Sequence, residues 1–298
     1  MTTAATQSPP KTLGAQLVKV VSEGGVHVVL IGVALLWLVP SLGLFVTSLR
    51  SRAASSQSGW WTAYTDVDLT LDNYETVLRA GDLPPPGFAK NFVNTFIITI
   101  PSTILPIIIA AVAAYALAWM KFKGRDWIFL GVVAMLVVPL QVTWVPVLKI
   151  FNQFNLTGEF WGLWLAHTAY GLPFAIFLLR NFFADLPEDL FESARIDGAS
   201  ETKVFLRIVL PLSVPALASL AIFQFVWVWN DLMNALIYLQ DVDKFPLTVG
   251  INNLLGQYGN EWHLLASGAF ISMVVPLMVF FGLQRYFVRG ITAGAVKG

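Results

Sequence analysis

Six stretches of this 298-residue sequence contain no Asp, Glu, Lys or Arg, and each is at least 20 residues long. They run 24–49, 91–120, 127–148, 160–179, 208–230 and 264–284. A helix of about 20 apolar residues crosses a hydrocarbon layer of about 30 Å, so each run is long enough to span a membrane. A barrel would need shorter strands with alternating polarity. Runs such as Ile97-Ile98-Thr99-Ile100 are β-branched and would favour strands in water. In lipid the backbone must satisfy its own hydrogen bonds, which selects helix. The expectation is an all-α polytopic membrane protein with six transmembrane helices.

Composition agrees. Only 12% of residues are charged, against about 25% in soluble domains. Eighteen basic and 18 acidic residues cancel, which leaves no electrostatic footprint for nucleic acid. Cysteine is absent, which excludes thiol nucleophiles and Cys-based zinc sites. His27, His167 and His263 are too scattered in sequence to suggest a metal site.

The charges fix a layout. A tail, 1–23, precedes the first membrane helix, 24–49. This helix is too long and too far into the chain for a cleaved signal peptide. A loop, 50–90, follows. The core, 91–288, holds helices 2–6 and a loop, 185–207, and a tail, 289–298, closes the chain. Twelve of the 18 basic residues fall on the side that carries both tails and the 185–207 loop. The positive-inside tendency places that side, and both termini, in the cytoplasm. The loops 50–90, 149–159 and 240–263 then face outward. Pro101, Pro106, Pro139, Pro146, Pro173 and Pro276 fall inside the apolar runs. They are either ordinary kinks that neighbouring helices repair or hinges in a permeation path.

The most informative segment is the loop from Asp185 to Pro211. Pro187 suits the start of a helix, and Glu188, Asp189 and Glu192 favour its N-terminal end. Leu190, Phe191, Ala194 and Ile196 form a short apolar stripe. Gly198 ends the helix or permits a tight turn, and Asp197 or Ser200 can cap the next one. Six of the 18 acids lie between Asp185 and Glu201. On physics alone, this is either a surface connector or a docking helix.

The same residues carry a resemblance. Glu192-Ser193-Ala194, then Gly198, then Ile208-Val209-Leu210-Pro211 is similar to the signature of binding-protein-dependent ABC importer permeases. Ser193 in place of the middle alanine is its one departure. The stretches Phe191–Ser200, Phe223–Asp231 and Gln284–Gly298 resemble the carbohydrate-uptake, maltose/α-glucoside branch, and in it the smaller of the two permease subunits. The likeness runs from about residue 85 to the end.

The resemblance implies a type I ABC importer permease fold in a prokaryotic inner or plasma membrane. It also implies partners: a second related permease forming a heterodimer, an ATPase dimer and an extracytoplasmic sugar-binding protein. ATP and Mg²⁺ would sit on the ATPase, and this chain would bind no cofactor or metal and have no catalytic residues. Coupling to the ATPase would run through Phe191, Glu192, Ala194, Arg195, Asp197, Gly198 and Ala199. The tail residues Thr292, Ala293 and Gly294 would reach the ATPase. The substrate would be an α-glucoside or a maltose- or trehalose-like oligosaccharide, with a non-sugar solute as the alternative.

Gln224, Trp227, Trp229, Asn230 and Asp231 form a candidate substrate path. Indole faces stack on sugar rings, and amides and carboxylates bond hydroxyls. An acid within an apolar run points to function. An interfacial aromatic belt or a packing contact explains the cluster without a sugar. Asn94 and Asn234 fall under the same weighing, and His167 reads as a buried bundle residue. In loop 50–90, Trp60, Trp61 and Tyr64 with Asp66, Asp68 and Asp72 read as a folded cap or as a binding-protein docking surface. No G-x-x-x-x-G-K-[ST] loop is present, so ATP is not bound by that route. An ion-coupled transporter would need internal symmetry and membrane charges, and a membrane enzyme would need clustered acids or histidines. The sequence offers neither set.

Overall fold

The computed structural model describes residues 13–79, 87–258 and 261–295, with side chains described for 24–79, 87–254 and 261–285. It contains fourteen α-helices among the described residues. They are α1 (Leu13–Leu49), α2 (Arg52–Gln57), α3 (Asp72–Leu78), α4 (Phe88–Trp119), α5 (Arg125–Met135), α6 (Trp144–Gln153) and α7 (Phe160–Ala184). There follow α8 (Glu188–Ile196), α9 (Glu201–Val204), α10 (Leu210–Leu212), α11 (Val214–Trp229), α12 (Met233–Tyr238), α13 (Leu247–Tyr258) and α14 (Trp262–Ala295).

Four of the six charge-free runs are continuous helices long and apolar enough to cross a membrane: α1, α4, α7 and α14. The other two are broken. The run 127–148 divides into α5 and a second piece, Leu140–Gln153, bent by 97°. The run 208–230 bends by 73° between Leu212 and Val214. Local chemistry explains both breaks. Leu136, Val137 and Val138 donate to Val133, Ala134 and Met135, tightening the last turn of α5. Proline disfavours helical backbone in the residue before it, so Val138 cannot carry the helix into Pro139. In the fifth run, Pro211 and Pro215 remove two ladder donors one turn apart. A π-type turn over Phe205–Val209 leads into that break.

Three further prolines are repaired rather than obeyed. Pro101 and Pro106 lie inside α4, and Pro276 lies inside α14, without ending either helix. Each leaves the carbonyl four residues earlier without a donor. Trp164 Nε1 on α7 donates to Ile97 O at 2.9 Å. Gln224 Nε2 on α11 donates to Ser102 O at 3.1 Å. Trp229 Nε1 on α11 donates to Ser272 O at 3.1 Å. All three orphaned carbonyls therefore receive a side-chain N–H from a neighbouring helix. Lipid offers no substitute donor, so these bonds tie packing to backbone satisfaction.

The bundle packs around α4. Ala110, Ala111 and Ala114 on α4 and Ala175 on α7 are buried, and these small residues let the two helices approach closely. The core at this end also takes in Leu179, Phe183, Phe191, Val204, Val209 and Leu220. A second core at the other end gathers Ile98, Phe151, Leu163, Val228, Tyr238 and Val249. By contrast, α1 leans on α14 and leaves most of its apolar surface uncovered, with Trp37 at 78% exposure. That is how a helix solvated by lipid or by another chain looks.

α1 begins at Leu13, inside the 1–23 tail, and α14 continues helical to Ala295, through most of the 289–298 tail. The side chains of Thr292 and Ala293, and any contact made at Gly294, lie outside the described residues.

Candidate functional site

The 185–207 loop folds as a helix–turn–helix standing at one end of the bundle. Pro187 occupies the N-cap position of α8 in extended conformation. Glu188 and Asp189 follow in the first turn and Arg195 sits in the last, each placed favourably for the helix dipole. The helix ends in a Schellman turn: Gly198 N donates to Arg195 O at 3.0 Å, and Ala199 N donates to Ala194 O at 2.9 Å. Gly198 takes φ +73°, while a Cβ there would meet nothing within 4 Å. The glycine is required by backbone conformation, not by crowding. Ser200 stands at the N-cap of α9, but its side chain makes no capping bond.

The seven residues named for ATPase coupling do not share one face. Phe191 is fully buried inside the chain, its ring stacked on Trp119 at 3.8 Å. The Trp119 indole donates to Phe183 O at 2.8 Å. Ala194 and Ala199 pack against the same core. Arg195 pairs with Glu201 at 3.3 Å, and the other Glu201 oxygen accepts from the Tyr115 hydroxyl. Glu192, Asp197 and Gly198 are exposed. Ile196 is 86% exposed at the free edge of the helix, and Leu190 is partly so. Sequence reasoning placed Ile196 in the apolar stripe but not in the coupling set. Trp119 and Tyr115 were missed too, although their i,i+4 spacing sets them on one helix face beside the loop.

The candidate substrate path divides as well. Trp229 is buried among Phe92, Phe96 and Phe225, with its N–H committed to α14. Asn230 turns back to bond Val226 O at 2.8 Å. Asp231 lies beyond the end of α11 rather than within it. Its carboxylate accepts from Asn234 N, Asn234 Nδ2 and Ala235 N, capping the first turn of α12. Burial pushes the Asp231 carboxyl up from its ordinary value, and those three bonds act against the rise. His167 Nε2 lies 3.5 Å from Asp231, fully buried, with its ring edge-on to Trp227.

Gln224 and Trp227 lie elsewhere. They line a cavity of about 580 Å³ between the broken third run, α7 and α11, together with Thr143, Tyr170, Pro173 and Phe223. Its polar edge is pre-ordered. Thr143 Oγ1 donates to Tyr170 at 3.0 Å, and the Tyr170 and Tyr238 hydroxyls share a bond of 2.7 Å. Gly171 makes room for Gln224, since a Cβ there would fall 2.7 Å from its amide. Asn94 and Asn234 serve elsewhere: Asn94 bonds Asp243 O and Phe245 O, and Asn234 accepts from Trp144. Trp229→Phe should lower the complex's melting temperature, at a cost of about 0.6–1.7 kcal/mol, and leave the substrate KM unchanged. Detergent thermal denaturation beside a transport titration checks this.

Residues 50–79 form a small cap. The buried Arg50 guanidinium donates to Ser58 O at 3.0 Å and Gly59 O at 2.7 Å, and Asn73 bonds Ser48 O and Arg50 O. Trp61 and Tyr64 remain exposed on it.

Comparison with known proteins places this architecture. Residues 91–293 match the family model described as binding-protein-dependent transport system inner membrane component. The chain is 53% identical over 277 residues to the osmoprotective compounds uptake permease protein GgtD of Synechocystis sp., covering 91% of each. It is 50% identical over 259 residues to the alpha-glucoside transport system permease protein AglG of Rhizobium meliloti, covering 85% of this chain and 67% of that protein. The fold superposes on a chain of a bacterial ABC transporter that imports the acidic polysaccharide alginate. There the TM-score is 0.73 at 22% identity, covering 94% of this chain and 100% of the other. The bundle, its broken spans and the loop helix are thus a type I ABC importer permease fold. The chain belongs to the inner-membrane permease family of binding-protein-dependent ABC importers, in its carbohydrate-uptake branch.

Proposed function

We propose that this chain forms half of the translocation pore of an ATP-driven importer. It would pair with a second permease, rest on an ATPase dimer that holds ATP and Mg²⁺, and receive solute from an extracytoplasmic binding protein. The chain itself would perform no catalysis. Both termini and α8 lie on the cytoplasmic side in this reading, supported by the concentration of basic residues there. The observation that carries it is α8. A short helix, anchored from beneath by buried Phe191 and closed by a Schellman turn, holds out Ile196, Glu192, Asp197 and part of Leu190. This is an apolar tip ringed by charge, suited to a cleft in a partner. ATP-driven closure of that cleft could bias the pore only through contacts that differ between the two states. The tail segment Thr292–Gly294 is proposed as a second ATPase contact.

The substrate reading is an α-glucoside or maltose/trehalose-like oligosaccharide, supported by the name of the 50%-identical relative. Trp227, with Gln224 and Tyr170 on the cavity wall, offers an indole face and hydroxyl-bonding groups of the kind sugars require. A second reading, a small osmoprotective solute, is favoured by the name of the 53%-identical relative. A thermal-shift screen of the cognate binding protein against maltose, trehalose, sucrose and glycine betaine separates the two. For the docking helix, Ile196→Asp should abolish ATPase co-purification while membrane insertion persists. Unchanged co-purification and uptake in Ile196→Asp and Glu192→Lys would overturn the docking assignment.

A further inference from the structure

The geometry points to α4 as the strut that carries movement of the docking helix through the chain, with Tyr115, Trp119 and Glu201 as its positioning residues. This rests on the reading that α8 docks on an ATPase, and it goes beyond it by saying where the movement goes next.

At one end of α4, two contacts one turn apart clamp the loop. Trp119 stacks on Phe191 of α8 at 3.8 Å, and Tyr115 donates to Glu201 at the start of α9. Glu201 also holds Arg195 from the last turn of α8 at 3.3 Å. The Tyr115 ring lies 5.2 Å from that of Phe205. The end of α4, α8 and α9 therefore form one body, although the turn at 197–200 separates the two short helices in sequence. Immediately beyond this body the backbone changes character. The π-type turn at Phe205–Val209 and the 73° bend between Leu212 and Val214 stand between α9 and α11. A displacement of α8 meets a break on the path into α11 and continuous helix on the paths into α4 and into α7, which joins α8 through 185–187 and packs along α4.

At the other end, α4 grips the segment 241–247. Lys90 pairs with Asp243 at 2.6 Å, Asn94 donates to Asp243 O and Phe245 O, and Leu247 N donates to Thr95 Oγ1 at 2.8 Å. Each bond joins residues about 150 positions apart in sequence. The same helix thus binds the docking loop at one end and this segment at the other.

The chain has no cysteine, so a single cysteine replacing the half-exposed Val242 gives one labelling site on the chain. The complete complex, with this site carrying bimane, is placed in nanodiscs and trapped with Mg-ATP and vanadate. The unmodified joint should give a bimane response. Tyr115→Phe, which keeps the ring, and Glu201→Gln should each shrink it by about threefold or more. Insertion and ATPase co-purification should be retained, and the double variant should do no worse than the larger single one. Full-sized responses in both single variants would overturn the strut while leaving docking intact. Loss of co-purification in Tyr115→Phe would also overturn it, because the joint would then act in assembly. A wild-type chain that retains no ATPase would overturn docking and strut together.

Discussion

Gly198→Val is expected to abolish solute uptake, Gly198→Ala to weaken it, and Gly198→Asn to leave most of it. The order follows from backbone conformation. Position 198 sits at φ +73°, where a β-branched side chain is a genuine outlier and asparagine is tolerated. Left-handed backbone costs an ordinary L-residue about 1–2 kcal/mol. Two Schellman bonds, Gly198 N to Arg195 O and Ala199 N to Ala194 O, depend on that geometry. If the turn opens, α8 loses its C-terminal cap and Ile196 its fixed place. Because nothing lies within 4 Å of a Cβ at this position, crowding within the chain would not produce this order. Crowding against a docked ATPase would reverse two members, with asparagine, being larger, worse than alanine. Uptake by the three variants at matched membrane levels therefore separates a conformational role from a close-approach role.

Phe191→Ala should be the most damaging side-chain truncation in the loop. The ring is fully buried and stacked on Trp119, and removing a buried Phe costs about 3–5 kcal/mol. The loss falls on the seat of α8, so the expected phenotype is failure of uptake with the six-span bundle still inserted. Trp119→Ala should reproduce it. In a double-mutant cycle the two should be strongly non-additive, since either truncation empties the same contact. Additive effects on co-purification would place Phe191 at the partner interface instead of under the helix.

Both results turn on something only partly legible in the sequence. Charge-free runs marked all six membrane segments, and the stretch from Pro187 to Gly198 marked α8. These are local signals, set by solvent and by backbone propensity. Which way α8 faces was not legible. Phe191 and Ile196 are both apolar, and only the presence of Trp119, more than 70 positions earlier in the chain, decides that one is buried and the other free. Proline was ambiguous for a similar reason. Pro40, Pro101, Pro106, Pro173 and Pro276 stay inside helices, and at Pro101, Pro106 and Pro276 Trp164, Gln224 and Trp229 donate to the carbonyls the prolines orphan. Val138-Pro139 ends a helix. Those donors come from other helices, so no local window separates the cases. The same long-range pairing commits the Trp229 N–H to α14 and the Gln224 amide N–H to α4, and the capping bonds of Asp231 give that acid a structural task. Gln224 and Trp227 share a cavity wall with Tyr170, which is assembled by tertiary packing and has no local sequence signal.

The central claim is that this chain moves solute only when an ATPase drives it through α8. Uptake of radiolabelled maltose, trehalose, sucrose and glycine betaine into proteoliposomes holding both permeases, with binding protein outside, tests it directly. The account predicts accumulation of at least one of these solutes when the ATPase and internal Mg-ATP are present. It predicts none when the ATPase is omitted, or when this chain carries Ile196→Asp. Accumulation driven by a sodium or proton gradient without the ATPase would contradict it.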